Sequence, residues 1–300
     1  MARTLVLAVA ALVAAAPALA QTVTVETARG SAEVPVAPDT LVVFDVAAMD
    51  TLDALGATAA GAPDQVTLDY LQDFAANAEV VGTLFEPDFE AVNALAPDLV
   101  VAGGRSAAQV DALAQVAPTI DMTIPGDDLV GTALARLDAY GALLGREVEA
   151  GAIRAEIEAQ LAQARAAVEG RGTALVVLTN GPKISAYGAG SRFGWLHTDL
   201  GLPQAVEGLS VDSHGEAIGF ELIRDANPDW LIVIDRAAAI GDEGARAAET
   251  LDNALVAETT AWREGQVIYL PAAESYVAGG GVQALGRNLD RLLEAFGPAS

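Results

Sequence analysis

Unbroken apolar runs punctuate this chain, and segments with apolar positions at helical spacing lie between them. Thr40 to Asp45 (TLVVFD), Asp98 to Ala102 (DLVVA), Thr173 to Leu178 and Trp230 to Ile234 (WLIVI) have the continuous apolar pattern of strands buried on both faces of a parallel sheet. Shorter strands are predicted at 79–82, 118–122, 184–187 and 266–270. Gln21 to Pro38 alternates apolar and polar residues and predicts a leading strand pair. Helices are predicted at 47–56, 69–74, 88–95, 107–115, 127–144 (capped by Asp127 or Asp128), 195–200, 220–225, 247–254, 257–262 and 281–296.

One stretch differs in length. Arg146 to Glu169 is dominated by Ala, Glu, Gln and Arg, has Gly151 as its only weak helix former, and is bounded by Gly145 and Gly170-Arg171-Gly172. As a helix it spans roughly 36 Å, the width of a small domain. Strand–helix alternation on both sides predicts an α/β protein of two lobes joined by a single long backbone helix. The first lobe covers 22–145, the helix 146–169 and the second lobe 172–300. A long surface helix on one larger α/β domain is the alternative.

Composition narrows the function. Residues 1–20 read as a signal peptide: Arg3, an apolar run from Leu5 to Ala16, and Ala18-Leu19-Ala20 as the cleavage signal, leaving a chain from about Gln21. The remainder has 15 basic residues (16 less Arg3) against 41 acidic ones, a net charge near −26. That disfavours nucleic acid, whose phosphates need a basic footprint. There is no cysteine, hence no disulfide scaffold and no lipidation site, which predicts a free periplasmic protein. The motifs of serine hydrolases, zinc proteases and P-loop nucleotide hydrolases are absent.

In so acidic a chain the positions of the cations are informative. Arg105 follows DLVVAGG, Arg192 sits in the glycine loop YGAGSRFG, and Arg236 follows WLIVID. Ligands of open α/β sheets bind beyond the carboxyl ends of the strands, so the three arginines predict one cationic spot for an anionic ligand. The competing reading pairs each with a neighbouring acid, Asp235 with Arg236 for example. The loop 188–194 departs from the dinucleotide fingerprint and reads as a tight turn that presents Arg192. Gly279 to Gly281 reads as a loop into a helix N-terminus, either a plain turn or an anion site. His197 reads as structural. His214 and Tyr276 lie in polar, glycine-containing stretches.

The segments GGR (103–105), AYGAGSRFGWLHTDLG (186–201), DSHGEAIGFELI (212–223), PDWLIVIDR (228–236) and SYVAGGG (275–281) resemble the ferric-siderophore-binding proteins of ABC importers. These are helical-backbone (class III, chelatase- or TroA-like) periplasmic binding proteins, and the likeness is to the catecholate branch that takes enterobactin fragments and petrobactin. The resemblance implies that Arg105, Arg192 and Arg236 hold an anionic ferric catecholate, and that His214 and Tyr276 complete the iron(III) of a tetradentate one. Ser275 stands where relatives often have an aromatic residue. The resemblance further implies a monomer with small closure motions, no intrinsic cofactor beyond the Fe(III)-siderophore it carries as ligand, and delivery to an inner-membrane ABC permease. Haem, cobalamin or metal binding on the same scaffold, and a periplasmic enzyme, are the rival readings.

Overall fold

The computed structural model describes residues 21–212, 214–244 and 246–297; the expected signal segment 1–20 lies outside the described residues. The leading pair forms an antiparallel hairpin, β1 (Thr22–Thr27) with β2 (Gly30–Pro35). Then come β3 (Leu41–Val43), β4 (Gly61–Ala62), β5 (Glu79–Val80), β6 (Leu99–Ala102) and β7 (Thr119–Asp121), an all-parallel sheet in the order β5-β4-β3-β6-β7. The second sheet contains β8 (Ala174–Asn180), β9 (Lys183–Tyr187), β10 (Glu216–Ile218), β11 (Trp230–Asp235) and β12 (Val267–Tyr269), in the order β10-β9-β8-β11-β12. There β8, β11 and β12 are parallel, while β9 runs antiparallel to β8 and β10 antiparallel to β9. The continuous apolar runs are the buried central strands β3, β6, β8 and β11.

In each sheet the chain reverses its direction of travel at the centre, between β3 and β6 and around β8. The crevices beyond the carboxyl ends of those strands are where such sheets bind ligands.

Between the sheets in sequence runs the long helix Glu147–Val168, 22 residues or about 33 Å. It buries Ala150, Ile157, Leu161, Ala164 and Val168, one stripe at three- and four-residue spacing. Gly151 is tolerated because it lies on the exposed face with nothing around it. The closing helix Val282–Phe296 packs along it and also against the first-lobe helix Val46–Ala54. One continuous set of buried apolar side chains therefore runs from β1 and β3, through both long helices, to β11 and β12. Smaller clusters cover the other face of each sheet. The two lobes share a core.

Two predictions at helix ends changed. The helix predicted at 127–144 begins at Leu129, after a 3-10 turn, and Asp128 makes no capping hydrogen bond. The glycine run at 279–281 leads into the closing helix, but a side chain of the protein already occupies that end. Asp50 of the first lobe accepts from Gln283 N (2.8 Å) and Ala284 N (2.9 Å), and also from Tyr70 Oη (2.6 Å). The acceptor at this helix N-terminus is thus the protein's own carboxyl, and it ties the lobes together.

Candidate functional site

Arg105 lies in the 3-10 turn Gly104–Gln109 that follows β6. Arg236 opens the helix Arg236–Ala239 that follows β11. Arg192 projects from a tight turn after β9: Gly190 has φ +85°, and Ser191 Oγ donates to Gly188 O at 2.6 Å. A side chain at Gly190 would be strained. Tyr276, in one of the polar, glycine-containing stretches, ends the short helix Ala272–Tyr276 beyond β12. Arg105, Arg236 and Tyr276 follow the carboxyl ends of parallel strands, Arg192 arrives from the loop after the antiparallel β9, and all four meet.

Tyr276 is the hub. Its backbone carbonyl accepts from Arg105 Nη2 (3.1 Å) and Arg192 Nη2 (2.9 Å), and its phenol oxygen accepts from Arg236 Nε (3.0 Å). The guanidinium carbons of Arg105, Arg192 and Arg236 stand 5.2, 4.7 and 5.7 Å from its ring centroid, within cation–π range. Arg105 also donates to Val277 O at 3.2 Å, so a first-lobe cation reaches across to the second lobe. Among the described residues none of the three arginines pairs with an acid. The Asp235–Arg236 pairing is not made. Asp235 instead caps its helix, accepting from Ala238 N (3.0 Å) and Ala247 N (2.8 Å).

These contacts set the charge state of the site. Burial works to raise the Tyr276 phenol, but the Arg236 hydrogen bond and the charges of Arg236, Arg192 and Arg105 outweigh it and hold the pKa below the ordinary phenol value. Burial lowers the pKa of Arg192, yet a guanidinium starts so high that it stays charged. Asp45, which the sequence reading did not single out, lies beneath the cluster. It caps the helix Val46–Ala54 (Ala48 N to Oδ1, 3.0 Å), and burial raises its carboxyl above the usual range.

Open space surrounds the cluster. A cavity of about 750 Å³ lies between Arg105, Ile124 and Gly126 of the first lobe and Arg192, His214 and Tyr276 of the second. Another, of about 460 Å³, runs between Asp64, Thr67 and Phe85 on one side and Arg236 and Ile240 on the other. His214 is exposed on the wall of the first. Phe85, at 60% exposure, lines both; an exposed aromatic in a polar loop gave no sequence signal of its own. His197 lies apart from the cleft, buried, with Nδ1 2.8 Å from Leu202 O and its pKa lowered by burial: a structural histidine.

Such a site suits a polyanion with flat, electron-rich faces. It has three permanent cations, a phenol poised toward phenolate and apolar surfaces at the rim. Comparison with known proteins agrees with the architecture. The family model described as periplasmic binding protein matches residues 41–274. The petrobactin-binding protein YclQ of Bacillus subtilis is 33% identical over 261 residues, 86% of this chain and 82% of that protein. Its crystal structure superposes with a TM-score of 0.88 over 93% of this chain and all of that one. The ferric-anguibactin-binding protein FatB of Vibrio anguillarum is 29% identical over 86% of this chain and 83% of its own. The periplasmic catecholate-siderophore binding protein VctP of Vibrio cholerae matches at TM-score 0.86 and 30% identity, covering 91% of this chain and 100% of that one.

Proposed function

This chain belongs to the periplasmic binding protein family, and from that premise we propose that it is an exported substrate-binding protein of an iron–siderophore importer. It captures an anionic ferric catecholate between its lobes and delivers it to an inner-membrane ABC permease. Arg105, Arg192 and Arg236 hold the complex by charge and hydrogen bonds to its phenolate oxygens. Tyr276 and His214 face the same cavity and supply a hard phenolate and an imidazole to the iron of a chelate that leaves coordination positions open. The cargo's iron comes with its chelator and leaves with it. The protein acts by binding, without a chemical step.

The observation that carries this reading is the convergence of three guanidiniums, none paired with an acid among the described residues, on one tyrosine at the interlobe cavity. In a chain of net charge −25, cations gathered without counter-charges have an anionic ligand as their natural partner. The relatives named for petrobactin, ferric anguibactin and catecholate siderophores support the ligand class.

The test is a tryptophan-fluorescence quenching titration with ferric bis-catecholate, ferric tris-catecholate and ferric hydroxamate complexes. Submicromolar catecholate binding is expected. Arg192→Met should weaken it at least about thirtyfold, the cost of leaving one buried charge unpartnered. His214→Ala and Tyr276→Phe should weaken the bis-catecholate more than the tris-catecholate. Hydroxamate preference, or no catecholate binding, would overturn the reading and bring haem and cobalamin forward.

A further inference from the structure

The chain has a single lysine, Lys183, and it lies beside the site just described. Strands β8 and β9 pair with Asn180 opposite Lys183, Leu178 opposite Ser185 and Val176 opposite Tyr187. Side chains alternate across a strand, so Asn180, Lys183, Ser185 and Tyr187 share one face, while Ile184 and Ala186 enter the core cluster on the other. That shared face floors a cavity of about 350 Å³ whose walls are Arg192, His214, Arg236 and Tyr276. Among the described residues no acid lines it, in a protein with 41 of them.

The floor's polar groups all donate. Asn180 Oδ1 is occupied by Arg236 Nη1 at 3.1 Å, which leaves its amide N–H groups free to donate into the cavity. Lys183 and Ser185 make no side-chain hydrogen bond or ion pair among the described residues, so an ammonium and a hydroxyl remain open. An ammonium, an amide N–H₂ and a hydroxyl on one strand face match an oxyanion with several lone pairs. Asn180 links these donors to the arginine cluster through Arg236, so the cavity offers a ligand donors on the strand face in addition to the groups at Tyr276.

We infer that this cavity over β8 and β9 is a subsite for a carboxylate that the ligand carries in addition to its iron-chelating catecholates, with Lys183 as the residue that selects it. The inference rests on the ferric catecholate reading and narrows it to chelators with a pendant carboxylate on the linker. The test uses two ferric bis-catecholates that differ only there, one with a carboxylate and one with its carboxamide, titrated against wild type, Lys183→Met and Lys183→Arg. Wild type should prefer the carboxylate about fivefold, the upper range for a partly exposed ion pair. The preference should vanish in Lys183→Met, persist in Lys183→Arg and shrink as salt is raised. Equal binding of both chelates by wild type, or a preference that survives Lys183→Met, overturns the inference while leaving the catecholate reading standing. If wild type binds neither chelate, the catecholate reading itself falls and takes this inference with it.

Discussion

Replacing Asp50 by Asn probes the seam between the lobes. Asp50 is fully buried, and its two oxygens accept from Tyr70, Gln283 and Ala284. Burial outweighs those donors and raises the carboxyl to about 7 from its ordinary 3.8. A folded-state value above the unfolded one means that the contribution to stability is full at low pH and is lost as pH rises from about 4 to about 7. At roughly 1.36 kcal/mol per pH unit, with the folded-state group half titrated at pH 7, about 1.7 kcal/mol is lost by pH 5 and about 4 kcal/mol by pH 7. Asparagine is isosteric and uncharged throughout. Its carbonyl can take the place of Oδ2, which serves Tyr70 and Ala284, but its amide nitrogen cannot accept from Gln283 N, and one lost bond costs about 1 kcal/mol. Asp50→Asn should therefore be about 1 kcal/mol less stable than wild type only where the carboxyl is protonated in both states, below about pH 4, and be about 0.7 kcal/mol more stable at pH 5 and about 3 kcal/mol more stable at pH 7 and above. Urea unfolding of both proteins at pH 5, 6, 7 and 8 measures this, with contributions from other acids cancelling in the difference. A variant less stable than wild type at every pH would refute the reasoning and show that the helix N-terminus holds the ionised form.

Three further outcomes follow from the site. Burial raises the pKa values of Tyr70, Tyr140, Tyr187 and Tyr269, whereas Tyr276 is lowered; the first phenolate absorbance step in an alkaline titration should be Tyr276 alone, be absent in Tyr276→Phe and move upward in Arg236→Met. A Cβ on Gly126 would lie 2.8 Å from Arg192 Cα across the cleft, so Gly126→Ala should cost about 1–3 kcal/mol of stability, read by thermal unfolding, and weaken ligand binding by displacing Arg192. Phe85→Ala removes an exposed aromatic from the cleft rim and should weaken a catecholate about fivefold, a stacking contribution near 1 kcal/mol, with the melting temperature unchanged.

The buried strands β3, β6, β8 and β11 and the backbone helix were legible because burial on both faces, or along one stripe, writes itself into consecutive or periodic residues. Two strands were not. Gly61–Ala62 and Glu216–Ile218 are too short and too mixed to carry a period, and they exist because a neighbouring strand offers them an edge. The short helices that begin at Arg236 and Ala272 were not predicted, since four or five residues hold no periodic signal. Asp45, Phe85 and Asn180 escaped notice for another reason: an Asp after a strand, a Phe in a turn and an Asn at a hairpin are ordinary locally.

By itself, the sequence determined the α/β class, the long helix and the export-type composition. It also singled out five side chains: Arg105, Arg192, Arg236, His214 and Tyr276. The class, the helix and the arginines depend on properties carried by the residue and its near neighbours, such as apolar runs, helix propensity or a rare cation after a strand, whereas His214 and Tyr276 stood out only through the family resemblance. Only the tertiary structure decided that Tyr276 lies at the centre of the arginines, that Asp235 spends its oxygens on backbone amides instead of Arg236, and that Asp50 fills the anion site at the closing helix. Those outcomes are contests between partners 12 to more than 230 residues apart in the chain. Which donor wins an acceptor is settled by distance and burial in the folded protein, and neither is written in local sequence.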